Sequence, residues 1–146
     1  MQDFPHHYLV SASGRPEGEI AINSDGLPRI STAPPAAFGG PGDKWSPETL
    51  LAGAVADCFI LTFRAIAGAS KMPWVSLDCA VEGTLDRLDG VTRFTAIEVR
   101  AKLKVGADID AARATRLLEK AEKNCLITNS LSAATTLVAS VENAVR

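Results

Sequence analysis

The chain has 146 residues, 47% of them hydrophobic and 22% charged, with a formal net charge of -2. That is enough chain for one domain with its own core, in a composition ordinary for a globular protein. The slightly acidic balance excludes the basic patches that nucleic acid or an anionic membrane would require.

The opening segment, Met1-Gln2-Asp3-Phe4-Pro5, has no basic region and no apolar run after it, so no signal peptide is expected and the location is expected to be cytoplasmic. His6 and His7, the sole histidines, precede residues 8–12, which read as a short strand with both rings in solvent. Residues 13–18 form a turn by composition, 19–24 a second strand, 24–26 a turn and 27–31 a third strand. Pro34, Pro35, Pro41 and the glycines at 39, 40 and 42 make an irregular connection.

A helix is expected over 47–70. Ser46 can cap it, Pro47 suits its first position, and Glu48 favours its positive end. Leu51, Ala54, Cys58, Leu61 and Ala65 recur at helical spacing and share a face, on a helix we read as both the core of the fold and the carrier of the chemistry. Asp57 and Arg64 interrupt the apolar run, so a buried core helix is expected rather than a membrane span. Residues 75–81 alternate at strand period. Asp89-Gly90 signals a hairpin, and 97–105 alternate most cleanly of all. Asp108 or Asp110 can cap a helix over 111–124, with Leu117, Leu118 and Ala121 inward. Residues 135–141 read as the last strand. With no repeat and no linker, this is a single domain, 1–146, of α+β class, with helices packed on antiparallel sheet.

Three cysteines lie at 58, 79 and 125. They do not make a disulfide scaffold, and there is no C-x-x-C. Cys79 alternates with Val75, Leu77 and Val81 and reads as a core position. A lone helical cysteine such as Cys58 is ordinarily a small hydrophobe, but a redox couple needs a second thiol, and Cys125 is available.

Three segments together resemble the OsmC/Ohr superfamily. Gly39-Gly40-Pro41-Gly42, Pro47-Glu48 and Leu51-Ala52-Gly53-Ala54 leading to Cys58-Phe59 are similar to its first motif. Cys125-Leu126-Ile127-Thr128-Asn129-Ser130-Leu131 is similar to its second. Gly14-Arg15, Gly18 and Ser24-Asp25-Gly26 match its arginine loop. The chain departs from the pattern at Leu126, where many members have proline, at Thr128, where serine is common, and at Asp57, where a small residue is usual.

The resemblance implies antiparallel sheets around long central helices in an intertwined homodimer. It also implies a thiol-dependent peroxidase that reduces organic hydroperoxides, those of fatty acids among them, in oxidative stress defence. Cys58 is then the peroxidatic thiol and Cys125 the resolving one, joined as a disulfide during turnover. Arg15 and Glu48 form the polar pair that supports the thiolate. A dithiol, often a lipoyl group, is the reductant, and no cofactor or metal is needed. The residue types suit this chemistry. A thiolate is the effective nucleophile, a guanidinium favours it and can bind the peroxide oxygens, and a carboxylate can hold that guanidinium in place. Leu51, Phe59, Ile60 and Leu61 would offer the alkyl tail an apolar neighbourhood. The alternatives are an OsmC-like module that binds a small apolar molecule without peroxidase activity, or a cysteine hydrolase with His6 or His7 as base.

Given the roles the resemblance implies for Glu48 and Cys58, helix geometry also favours a dimer. Glu48 and Cys58 are ten residues apart on one expected helix, roughly 15 Å along its axis, beyond the reach of a glutamate. Two copies of the helix, antiparallel about a two-fold axis, would bring Glu48 of one beside Cys58 of the other. The small residues Ala52, Gly53, Ala54 and Ala56 would permit close approach.

Overall fold

The computed structural model describes residues 1–145. The chain divides into two compact units, Met1–Leu51 and the remainder from Ala52, with the boundary inside a continuous helix rather than at a linker.

The first unit holds three short antiparallel strands, β1 (Ser11–Ser13), β2 (Ile20–Asn23) and β3 (Ile30–Thr32), in the order β1-β2-β3. They are shorter than the expected strands, and Tyr8, Leu9 and Val10 lie exposed before β1. A 3-10 turn, Ala36–Phe38, follows. Gly40 is required there by space, because a Cβ on it would sit 1.7 Å from the Pro34 carbonyl oxygen.

Helix α1 (Pro47–Ala69) starts on a reciprocal cap. The Thr49 N–H donates to Ser46 Oγ at 3.1 Å, and the Ser46 N–H donates to Thr49 Oγ1 at 2.9 Å. Thr49 takes the part that a glutamate usually plays in this box. At the other end the Lys71 N–H donates to the Gly68 carbonyl and the Met72 N–H to the Ala67 carbonyl, the paired bonds of a Schellman ending. This places Lys71 at a φ of 55°, in the left-handed region. Arg113 Nη2 donates to the freed Ser70 carbonyl at 2.7 Å and ties the helix end down.

The second unit carries strands β4 (Ser76–Leu88) and β5 (Val91–Val105), helices α2 (Ala111–Asn124) and α3 (Leu126–Asn129), and strand β6 (Ala134–Asn143). Asp89 and Gly90 both have positive φ, as a two-residue hairpin turn demands, and β4 pairs antiparallel with β5. Asp110 caps α2 by accepting from the Ala112 N–H at 3.0 Å. The expected antiparallel sheet needs correction: β6 runs parallel to β5. The connection between them passes through α2 and α3, a crossover that returns the chain to the end where β5 began. Asn143 Nδ2 donates to the carbonyls of Gly106 and Ile109, fastening the end of β6 to the loop after β5.

The core packs Val55, Phe59, Phe63 and Ala67 of α1 with Ile97, Val99, Ala101, Leu103 and Val105 of β5 and Ala114, Leu118 and Ala121 of α2. Trp74 meets Phe63 edge to face. The core stripe of α1 is therefore not the Ala54, Cys58, Leu61, Ala65 stripe read from the sequence. Aromatic rings win the core because each buries more apolar area than an alanine or a thiol can. The rest of α1 stays open: the helix is long and apolar enough to cross a membrane, yet only 22% of its most apolar 18-residue window is buried within the chain.

Lys71→Gly should raise stability by about 1 kcal/mol, since a side chain in the left-handed region costs roughly that much. Equilibrium urea unfolding measures it, and an unchanged or lower midpoint would refute the account of this helix ending.

Candidate functional site

On the open stripe of α1, Ala54, Asp57, Cys58, Leu61, Thr62 and Ala65 face Leu126 and Ile127 of α3 across a groove of about 520 Å³. The walls are mostly apolar, and Asp57 is the one charged side chain among them. Phe59 faces the core and lines no part of the groove, so the apolar neighbourhood expected around the thiol comes instead from Leu61, the two alanines and the α3 residues.

Cys58 is half-buried in this groove, and Cys125 is buried beneath it at the start of α3. The two thiols come within hydrogen-bonding reach of each other, which is the juxtaposition the resemblance implies. They respond to it in opposite directions. Burial pushes the Cys58 thiol up, but hydrogen bonds from the Ile127 N–H, the Cys125 thiol, the Thr62 hydroxyl and the Leu126 N–H outweigh it and hold Cys58 below its ordinary 9.0. Cys125 is pushed above that value, first by burial and then by its neighbour's sulfur, despite the Thr128 N–H and hydroxyl close by. The pair is thus asymmetric: the Cys58 thiol gives up its proton more readily than the Cys125 thiol beside it.

The donors have a local origin. The first N–H groups of any helix lack intrahelical partners, and α3 begins where its free N–H groups meet the Cys58 sulfur. A proline at 126 would have no N–H to give, so the departure of Leu126 from the common family pattern adds a donor. Thr62, one turn after Cys58, lies with its hydroxyl 3.8 Å from the sulfur and donates to the Cys58 carbonyl at 2.7 Å. The sequence reading passed over both features. The i, i+4 spacing of Cys58 and Thr62 could have flagged the hydroxyl, but backbone donors leave no mark in residue types.

Cys79 lies on β4, packed on the core, with its thiol pushed up to about 11 by burial and by the nearby Cys125. A thiol so held is a poor nucleophile at neutral pH.

Arg15 and Glu48 both belong to the first unit, and the chain does not pair them. Among the described residues the ion pairs are those of Lys44 with Glu19 and of Arg100 with Glu82 and Glu98. Arg15 lines an exposed groove with Glu17, Glu19 and Arg29. Glu48 Oε2 is buried and has no hydrogen-bond partner. A buried acceptor left in that state is costly.

These motifs and this fold place the protein in a known family: the chain belongs to the OsmC-like family, whose pattern it matches over residues 40–140. It is 30% identical over 131 residues to the uncharacterized protein YmaD of Bacillus subtilis, an alignment that covers 86% of this chain and 87% of that one. It is 29% identical over 97 residues to peroxiredoxin OsmC of Escherichia coli, covering 66% and 67%. The fold superposes on an OsmC-like protein of unknown function from Vibrio cholerae with a TM-score of 0.85, at 16% identity, covering 93% of this chain and all of that one (100%).

Thr62→Val removes the hydroxyl beside the sulfur and Leu126→Pro removes an N–H donor, and each should raise the Cys58 pKa. Alkylation of Cys58 should then slow several-fold at neutral pH and recover at high pH, while Thr62→Ser keeps the parent profile. Rate-versus-pH curves for iodoacetamide check this, and profiles that coincide with the parent would refute the donor assignment.

Proposed function

We propose that this protein is a cysteine-based peroxidase that reduces organic hydroperoxides. The observation that carries the reading is the placing of two adjacent thiols at an apolar groove, with Cys58 shifted toward the thiolate and Cys125 away from it. The Cys58 thiolate attacks the terminal peroxide oxygen, the O–O bond breaks, and the alkoxide leaves and takes up a proton as the alcohol. Cys58 is now a sulfenic acid. The Cys125 sulfur attacks it, water leaves, and a Cys58–Cys125 disulfide forms. A dithiol such as a lipoyl group then reduces the disulfide by two exchange steps and is itself oxidised. The division of labour follows the tuning: the lower-pKa sulfur is the attacking thiolate at neutral pH, and the higher-pKa thiol next to it is in place to resolve.

The working unit in this reading is a homodimer. An apolar helix that is mostly uncovered within its own chain favours a second copy as its cover. The buried Glu48 oxygen has no hydrogen-bond partner as the chain stands and calls for a donor. Arg15 is the cation proposed for it, and the Arg15–Glu48 pair of one copy would serve the thiol of the other. In that place the guanidinium would favour the thiolate and bind the peroxide oxygens as charge moves onto the leaving alkoxide. We place the protein in the cytoplasm, where dithiol reductants are kept reduced.

Cys58→Ser should abolish hydroperoxide consumption. Cys125→Ser should keep one burst of oxidation but lose turnover with dihydrolipoamide, and Cys79→Ala should turn over like the parent. A Cys58→Ser variant that still consumes cumene hydroperoxide would overturn the mechanism and favour a binding role for the groove.

A mixed dimer of Cys58→Ser and Glu48→Ala chains tests the shared site. One of its two sites would carry both lesions and the other neither, so activity should return to about half of the parent. Full activity in a monomer, shown by light scattering at assay concentration, would refute the shared site.

A further inference from the structure

Asp57 is unusual in the groove it lines. Its neighbours there are Ala54, Leu61, Leu126 and Ile127, all apolar, and it is the one ionisable side chain in the walls besides Cys58 itself. It is exposed, and among the described residues it makes no ion pair and no side-chain hydrogen bond. An uncompensated carboxylate therefore stands one residue from the reactive sulfur, at the mouth of a site otherwise suited to hydrocarbon.

We propose that Asp57 is a charge filter: the groove accepts neutral alkyl or aryl hydroperoxides and discriminates against those bearing a carboxylate near the peroxide. The inference rests on the peroxidase reading and names its substrate class. A substrate carboxylate would bring a second negative charge to an apolar wall that offers no cation of its own. Two unit charges about 7 Å apart in water already repel enough for roughly a threefold effect, and the low-dielectric wall increases it. Salt weakens it over a Debye length of about 10 Å at 0.1 M. The Arg15–Glu48 pair proposed to complete the site is neutral as a whole and does not cancel Asp57. A cationic substituent would be favoured for the same reason that an anionic one is not.

The test compares cumene hydroperoxide with its para-carboxylate and para-trimethylammonium derivatives, in the parent and in Asp57→Asn. At low ionic strength the parent should prefer the neutral over the anionic substrate in kcat/KM by about threefold or more, with the cationic one at least equal to the neutral. Asp57→Asn, or high salt, should bring the three together. Equal rates for all three in the parent, or a preference that Asp57→Asn leaves unchanged, would overturn the filter. A second arm needs no turnover. The rates of Cys58 alkylation by iodoacetamide and by iodoacetate, read by peptide mass, give a neutral-to-anionic ratio that should fall in Asp57→Asn. If no hydroperoxide is consumed the peroxidase reading fails, and the alkylation ratio still decides the filter: a fall sustains it and an unchanged ratio overturns it.

Discussion

The candidate site depends on a constraint within helix α1: only one of its stripes is committed to the core. Val55, Phe59, Phe63 and Ala67 lock the helix against β5 and α2. That packing fixes the rotation of the helix about its axis, and with it the direction in which Cys58 points. Had the smaller stripe of Ala54, Leu61 and Ala65 gone inward, the thiol would be a buried hydrophobe with a raised pKa, as Cys79 is. The rings hold the helix in the rotation that opens Cys58 to a groove. The same choice leaves an apolar surface uncovered within one chain, so the open face that motivates the proposed second copy and the exposure of the thiol share one cause.

The second thiol is set by the other end of the crossover. α2 stops at Asn124, Cys125 takes an extended conformation as the start of α3, and the next N–H groups turn toward Cys58. One short turn thus delivers a buried thiol and backbone donors together. The donors act on Cys58 more than on Cys125, and this separates the two pKa values. A symmetric pair would titrate alike; here the sulfur at the groove is the more acidic of the two.

Much of this architecture was legible in the residues. The bounds of α2 follow from its apolar stripe and the Asp110 cap, and the β4–β5 hairpin follows from Asp89-Gly90 between alternating runs. The two cysteine motifs marked the thiols that the fold brings together, and the OsmC-like fold followed from the same motifs. Three things were not legible. Helical spacing cannot rank two stripes of one helix, because both recur every three or four residues; ring size decides, and it acts only once a facing sheet exists. The direction of β6 depends on how far a crossover carries the chain, which alternation does not record. The α3 turn is four residues long and too short for any period to show. Arg15 and Glu48 were legible only by resemblance, and within one chain they make no pair.

The departures from the family pattern gain meaning from this geometry. Leu126 keeps an N–H that a proline would lack, and that N–H stabilises the Cys58 thiolate. Asp57 adds a carboxylate where a small residue is usual, and in the proposed charge filter its repulsion acts on approaching anions. The two changes flank the same sulfur from different elements, and they act by different means. The first favours the charged nucleophile through a short-range bond from backbone. The second acts through solvent on what reaches it, over a range that salt can shorten. A thiolate that is strengthened by fixed donors can tolerate a nearby carboxylate, because a hydrogen bond at contact distance outweighs a screened charge at the rim. In that sense the extra donor at 126 permits the acid at 57, and the pair is better read as one adjustment of the site than as two independent losses of the common pattern.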